Sequence, residues 1–190
     1  MVKKILKITF KYGLIFLSIF TLLLYGYEFY LKRAYPLHYH DFVQEACQKY
    51  NVEKELVFAV IREESKFKKE ACSHAGAIGL MQIMPETFFW LQKNNSTYEM
   101  DENHLKDPKV NIEYGTYLLS LLQKKYSEKR TALCAYNAGI GNVDKWLKNK
   151  DYSDDGKNLK VIPFKETKNY VDDVINSEQK YKVICKKYLS

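Results

Sequence analysis

Apolar residues are distributed along this chain in two regimes. From Tyr12 to Tyr27 they form an almost continuous run, YGLIFLSIFTLLLYGY, with no charge in 16 residues. From residue 34 onward they recur every three or four positions between charged residues, the period of helices that bury one face. The first regime predicts a membrane-spanning helix, although the run is slightly shorter than the roughly 20 residues of a full span. Lys11 can snorkel at one end, and Tyr25, Tyr27 and Tyr30 suit the far interface. Lys3, Lys4, Lys7 and Lys11 precede the run, so the N-terminus is expected to stay cytoplasmic and residues from about 33 to face outward. Tyr25-Gly26-Tyr27-Glu28-Phe29 follows, without the small residues of a cleavage site. An uncleaved anchor is therefore expected over a cleaved signal.

The second regime predicts one all-α domain over 34–190, behind a tail and anchor at 1–33, because only helix packed on helix fits this pattern. Two helices are expected at Tyr39–Tyr50 and Glu53–Glu64, broken near Asn51. Residues 66–84 are punctuated by Gly and Ser, and Pro85 suits the first turn of a short helix through Leu91. A polar stretch, 93–106, leads to Asp107-Pro108, an N-cap and an N1 proline. The helix they open places Val110, Tyr114, Tyr117, Leu118, Leu121 and Leu122 on one broad face. Ser127 is positioned to cap a helix at Thr131–Asn137, which Gly139 and Gly141 end. A short helix near Val143–Leu147 and a polar loop at 149–160 precede a last helix from about Thr167. That helix has Tyr170, Val171, Val174, Ile175 and Tyr181 inward.

One position in this pattern carries chemistry. Leu56, Val60 and Glu64 are four apart, so Glu64 sits at the end of an apolar stripe, whereas Glu63 is expected with Glu55 and Ala59 toward solvent. A carboxyl on the core side of a helix C-terminus is raised in pKa by desolvation and by the helix dipole. A general acid working near neutral pH needs that property. On spacing alone, a glutamate that merely caps the stripe and bends outward is the favoured reading.

Charge narrows the possible partners. The net +7 is concentrated at the N-terminus: residues 1–36 carry six Lys and Arg against Glu28 alone, and the remaining 154 carry 24 basic and 22 acidic side chains. A nucleic-acid binder concentrates basic charge on its folded domain, so nucleic acid is not the expected partner. Aromatic residues make up 15% of the chain, which fits a packed core and would also serve a sugar-binding cleft. Cys47, Cys72, Cys134 and Cys185 all fall on the outward side. They either form disulfides, in one of three pairings, or act as small buried hydrophobes. No Cys/His spacing suggests a metal, and His38 and His40 read as linker.

Downstream of Glu64-Ser65 the chain reads ACSHAGAIGLMQIMPET (71–87), in which glycines and small residues surround Ser73 and Gln82. Small residues let a ligand approach the backbone, and the isolated polar groups can orient it. The run resembles the signature of the soluble-type lytic transglycosylases, family 23 glycoside hydrolases with a goose-type-lysozyme-like fold. The resemblance continues through Asp107-Pro108, Asn111-Ile112, Gly115 and Tyr117-Leu118. Ala135-Tyr136-Asn137-Ala138-Gly139 follows, with Val143 and Trp146, and then Ile162-Pro163, Glu166-Thr167 and Tyr170-Val171. It covers about residues 50–175. Thr87-Phe88-Phe89 departs from it where many relatives carry Thr-Ala, an addition of aromatic bulk that bears on a neighbouring subsite.

The resemblance implies a lysozyme-like helical domain that cleaves peptidoglycan glycan strands between N-acetylmuramic acid and N-acetylglucosamine, leaving a 1,6-anhydro end. It assigns Glu64 as the catalytic acid/base. Ser73 and Gln82 line the cleft, Tyr136 and Asn137 close it over the sugar, and Glu166 contacts the saccharide. It calls for no metal or cofactor. Core packing of Tyr136 and helix capping by Glu166 stand as the plain alternatives for those residues. A goose-type-lysozyme-like hydrolase and a non-enzymatic glycan-binding subunit are the rival functions. The expected location is the cell membrane, single-pass, with the catalytic domain extracytoplasmic.

Overall fold

A computed structural model describes residues 2–95 and 99–189, with side chains placed for 10–93 and 99–189. The chain divides into two units, at Pro36 and Leu37. The first is one helix, α1 (Val2–Ala34). Its stretch Phe10–Ala34 is long and apolar enough, over 25 residues, to cross a membrane. At 1.5 Å per residue it reaches about 37 Å, more than a bilayer core of about 30 Å. The helix thus exceeds the charge-free run because it continues through Glu28 to Lys32 and Arg33.

The second unit contains α2 (His40–Tyr50), α3 (Lys54–Ser65), α4 (Pro85–Asn95), α5 (Pro108–Lys125), α6 (Lys129–Ala138), α7 (Ile140–Leu147) and α8 (Lys165–Tyr188), with a 3-10 turn at Glu102–Lys106. Isolated bridges Cys72–Ile78 and Ile78–Ile83 are the strand-like pairings among the described residues. Residues 96–98 of the polar stretch fall outside the described residues.

Helix α3 forms the centre of the unit and packs chiefly on α8. Leu56 through Ile61 are all fully buried, so this helix is apolar on every side rather than on one stripe. Such a helix belongs in a core. The rings of Phe58 and Tyr181 stack 5.4 Å apart across the α3–α8 contact. Beyond Ser65 the backbone turns sharply, with Lys66 and Phe67 both left-handed at φ 51° and 63°. Side chains with a Cβ adopt that region at a cost of about 1–2 kcal/mol each. Burial of the Phe67 ring against Phe58 and His38 helps offset it.

Helix α5 starts as the sequence predicts, with the Asp107 carboxylate accepting from the Lys109 and Val110 amides. Its buried surface is wider than the predicted face: Asn111, Ile112, Gly115, Thr116 and Leu119 are buried as well. At α6 the capping expectation fails. The helix begins at Lys129 with Glu128 as N-cap, and Ser127 is exposed outside it. Thr131 donates to the Glu128 carboxylate instead, at 2.9 Å. Helices α4, α7 and α8 each extend beyond their predicted limits, the last starting at Lys165.

Candidate active site

Glu64 lies in the last turn of α3, partly buried. Desolvation raises its carboxyl to a pKa of about 7, the Tyr170 hydroxyl of α8 opposes that rise, and the neighbouring Glu63 charge adds to it. Tyr136 of α6 also stands close enough for the Glu64 charge to raise its phenol further above the level set by burial. Three helices thus converge on one carboxyl that is protonated near neutrality. Burial of an unpaired acid is the physical origin of such a shift.

The segment between α3 and α4 forms another wall. Asn111, fully buried on α5, accepts from the Met81 amide (2.7 Å) and donates to the carbonyls of Ile78 (2.9 Å) and Leu105 (2.8 Å). Gly79, at φ +82°, presses against that Asn111 amide, and Gly115 of α5 presses against the Met81 side chain; a Cβ fits at neither position. The Tyr136 hydroxyl then donates to the Met81 carbonyl at 2.7 Å, tying the loop to α6. Residues 78–82 are therefore held from both sides by side chains bonded to their backbone groups.

The sequence-assigned site residues are distributed around this frame in different ways. Gln82 has a left-handed backbone (φ 47°), and its amide nitrogen donates to the carbonyls of Gly79 (2.9 Å) and Ala71 (3.2 Å). It braces the loop it belongs to. Ser73 is exposed, and its hydroxyl oxygen accepts from the Ala77 amide at 3.0 Å, closing the turn over Gly76. Asn137 follows Tyr136 and accepts from the Thr167 hydroxyl of α8 at 2.8 Å. Glu166, in the first turn of α8, is exposed; an acid there complements the helix dipole.

One expectation is corrected. Glu63 does not face solvent: its side chain is only 9% exposed and accepts from the Ser177 hydroxyl of α8, and Ala59 is buried as well. Tyr170, expected on the inner face of α8, lies there and faces Glu64. Its hydroxyl acts on the Glu64 carboxyl from outside ordinary hydrogen-bond geometry and has no other partner among the described residues.

A groove of about 470 Å³ runs alongside, lined by Met84, Glu86, Trp90, Tyr136, Asn137 and Ile140 among others. The aromatic run 88–90 splits here. Phe88 is buried edge-to-face on Tyr114 at 4.8 Å, whereas Phe89 and Trp90 remain exposed. All four cysteines are free, with Cys72 alone exposed. Among the described residues no His, Cys, Asp and Glu cluster could hold a metal.

The profile of the transglycosylase SLT domain matches residues 41–159. A soluble lytic murein transglycosylase of Escherichia coli is 33% identical over 155 residues, covering 80% of this chain and 24% of that protein. A membrane-bound lytic murein transglycosylase C of Haemophilus ducreyi is 31% identical, covering 75% of this chain and 45% of that protein. The crystal structure of the 70-kDa soluble lytic transglycosylase of Escherichia coli superposes with a TM-score of 0.71 at 30% identity, over 81% of this chain and 25% of that one. The chain spans about a quarter of the length of these soluble relatives.

Proposed function

The chain belongs to the transglycosylase SLT domain family, and from that premise we propose that it is a peptidoglycan lytic transglycosylase with Glu64 as its single acid/base. The observation that carries this reading is the Glu64 carboxyl, with a pKa of about 7, between the hydroxyl-bearing rings of Tyr136 and Tyr170. A group of that pKa can donate a proton and take one back at the same pH.

A two-carboxylate hydrolase needs a second acid across the bond being cut. The other carboxylate acting on Glu64 is Glu63, which is its neighbour on the same helix and is occupied by Ser177, Lys66 and Arg62. In the proposed reaction the Glu64 proton passes to the glycosidic oxygen between N-acetylmuramic acid and N-acetylglucosamine, and the C1–O bond breaks. The substrate N-acetyl group stabilises the electron-poor C1. The Glu64 carboxylate then takes the proton of the muramoyl C6 hydroxyl, whose oxygen bonds to C1. No water is consumed, and the intramolecular attack benefits from high effective molarity. Tyr170 is aimed at the carboxyl that changes charge, and Tyr136 fixes the loop carrying Gln82.

We place the catalytic unit outside the membrane crossed by α1, with 1–33 as tail and anchor; the lysine-rich start and the apolar length of α1 support that orientation. Glycan strands are the substrate, with Ser73, Gln82, Asn137 and Glu166 lining the approach. Digestion of purified sacculi tests the assignment. Wild type clears them and Glu64→Gln does not; a Glu64→Gln variant clearing at wild-type rate would refute it.

A further inference from the structure

Glu63 is the most constrained carboxylate beside the site, and the reaction above gives it no role. One oxygen accepts from the Ser177 hydroxyl at 2.6 Å and from the Arg62 guanidinium, and the other accepts from Lys66 Nζ at 2.7 Å. Arg62 also donates to the Ser177 hydroxyl at 3.1 Å, so the three side chains form a closed ring between α3 and α8. Ser177 is buried, two turns beyond Tyr170 on the same face of α8. The ring therefore fastens the end of α3 that carries Glu64 to the helix that carries Tyr170. A plain interhelical fastener needs no charge at this position, and a buried ion pair is weak evidence for stability.

We propose that Glu63 is a positioning residue for the reaction, whose tether to α8 and negative charge govern the aim and protonation of Glu64. This inference rests on Glu64 being the acid/base. Burial pushes the Glu63 carboxyl up, but Lys66, Ser177 and Arg62 outweigh it and hold it below the usual carboxylate range. The groups facing Glu64 are Tyr170 from α8, Tyr136 from α6 and Glu63 from its own helix. Of these, Glu63 alone is charged at neutral pH, and it favours the acid form of Glu64. Lys66, which is exposed, partly neutralises that charge.

The experiment is the pH dependence of sacculus digestion by the full chain, read as the descending limb where Glu64 loses its proton. Glu63→Gln keeps an oxygen for Ser177 but loses the charge, so the limb moves to lower pH by about half a unit or more. Lys66→Gln leaves the Glu63 charge less neutralised, so the limb moves to higher pH. Glu63→Asp keeps the charge, and its limb stays nearer that of wild type than the Gln variant's does. A purely structural ring predicts activity lowered by the same factor at every pH, with the limb unmoved in both Gln variants, and that result overturns the proposal. If Glu63→Gln does not fold, the exposed Lys66→Gln decides by itself, and an unmoved limb is then the refutation. The two readings fail separately: a wild-type chain that leaves glycan uncut removes the enzyme, whereas an active wild type with unmoved limbs removes only the role of Glu63.

Discussion

Replacing Glu64 by Gln should make the protein more stable, and only above a certain pH. The folded carboxyl has a pKa of about 7 against an ordinary 4.5. Below pH 4.5 it is protonated in both folded and unfolded chains, and its contribution is fully present. As pH rises from 4.5 toward 7 the unfolded chain ionises while the folded chain holds its proton, so stability is lost. Above 7 the loss is complete. The gap corresponds to about 3 kcal/mol at most, and about 2–3 kcal/mol once solvent at the partly open cleft is allowed for. Glutamine has the same shape and no charge, so Glu64→Gln escapes this loss. For a unit of this size, thermal midpoints should differ by roughly 5–10 °C at pH 8 and converge near pH 4.5. Calorimetry of both proteins across pH 4.5–8 checks this, since every other titrating group is common to the two. A midpoint difference that stays constant with pH would show that Glu64 is not held protonated by burial. The opposite slope would show a carboxylate stabilised as an anion.

Other outcomes follow from the same contacts. Tyr136→Phe loses one hydrogen bond, to the Met81 carbonyl; urea titration should show about 0.5–1.5 kcal/mol lost, with digestion falling on the order of a hundredfold as the loop shifts. Normal digestion would make Tyr136 a core residue only. Asn111→Ala leaves the Met81 amide and the Ile78 and Leu105 carbonyls without their side-chain partner. The expected loss is about 2–4 kcal/mol by urea titration, and a loss below about 1 kcal/mol would contradict the bracing role. Full-length protein should sediment with membranes and retain its N-terminal lysines; recovery of a mature chain starting after Tyr27 would replace the anchor with a cleaved signal.

Much of the fold was legible because helix signals are local. Asp107-Pro108 marked a helix start, and the bonds from Lys109 and Val110 to the Asp107 carboxylate explain why. Ser127 misled because capping also depends on where the chain enters the helix, and Glu128 holds that position with Thr131 bonded to it. Glu63 was misplaced for a tertiary reason. Spacing assigned it a face, but α8 covers that face, and a carboxylate is tolerated there only because Ser177, Lys66 and Arg62 meet it. The burial of Glu64 was legible, since its position on the Leu56/Val60 stripe put it against the core. The contact of Tyr170 with it was not, because a tyrosine on a buried stripe looks the same whether its hydroxyl meets a carbonyl or a carboxyl. Ser73 and Gln82 were singled out as isolated polar groups among small residues, and both close their own loop by hydrogen bonds.

In the proposed reaction the muramoyl C6 hydroxyl, not water, completes what Glu64 starts. Mass spectrometry of fragments released from purified peptidoglycan in oxygen-18 water reads this directly. The expected products are 1,6-anhydro ends, lighter by one water than reducing ends, with no label at C1. Reducing ends carrying the label would contradict it and identify a hydrolase on the same fold.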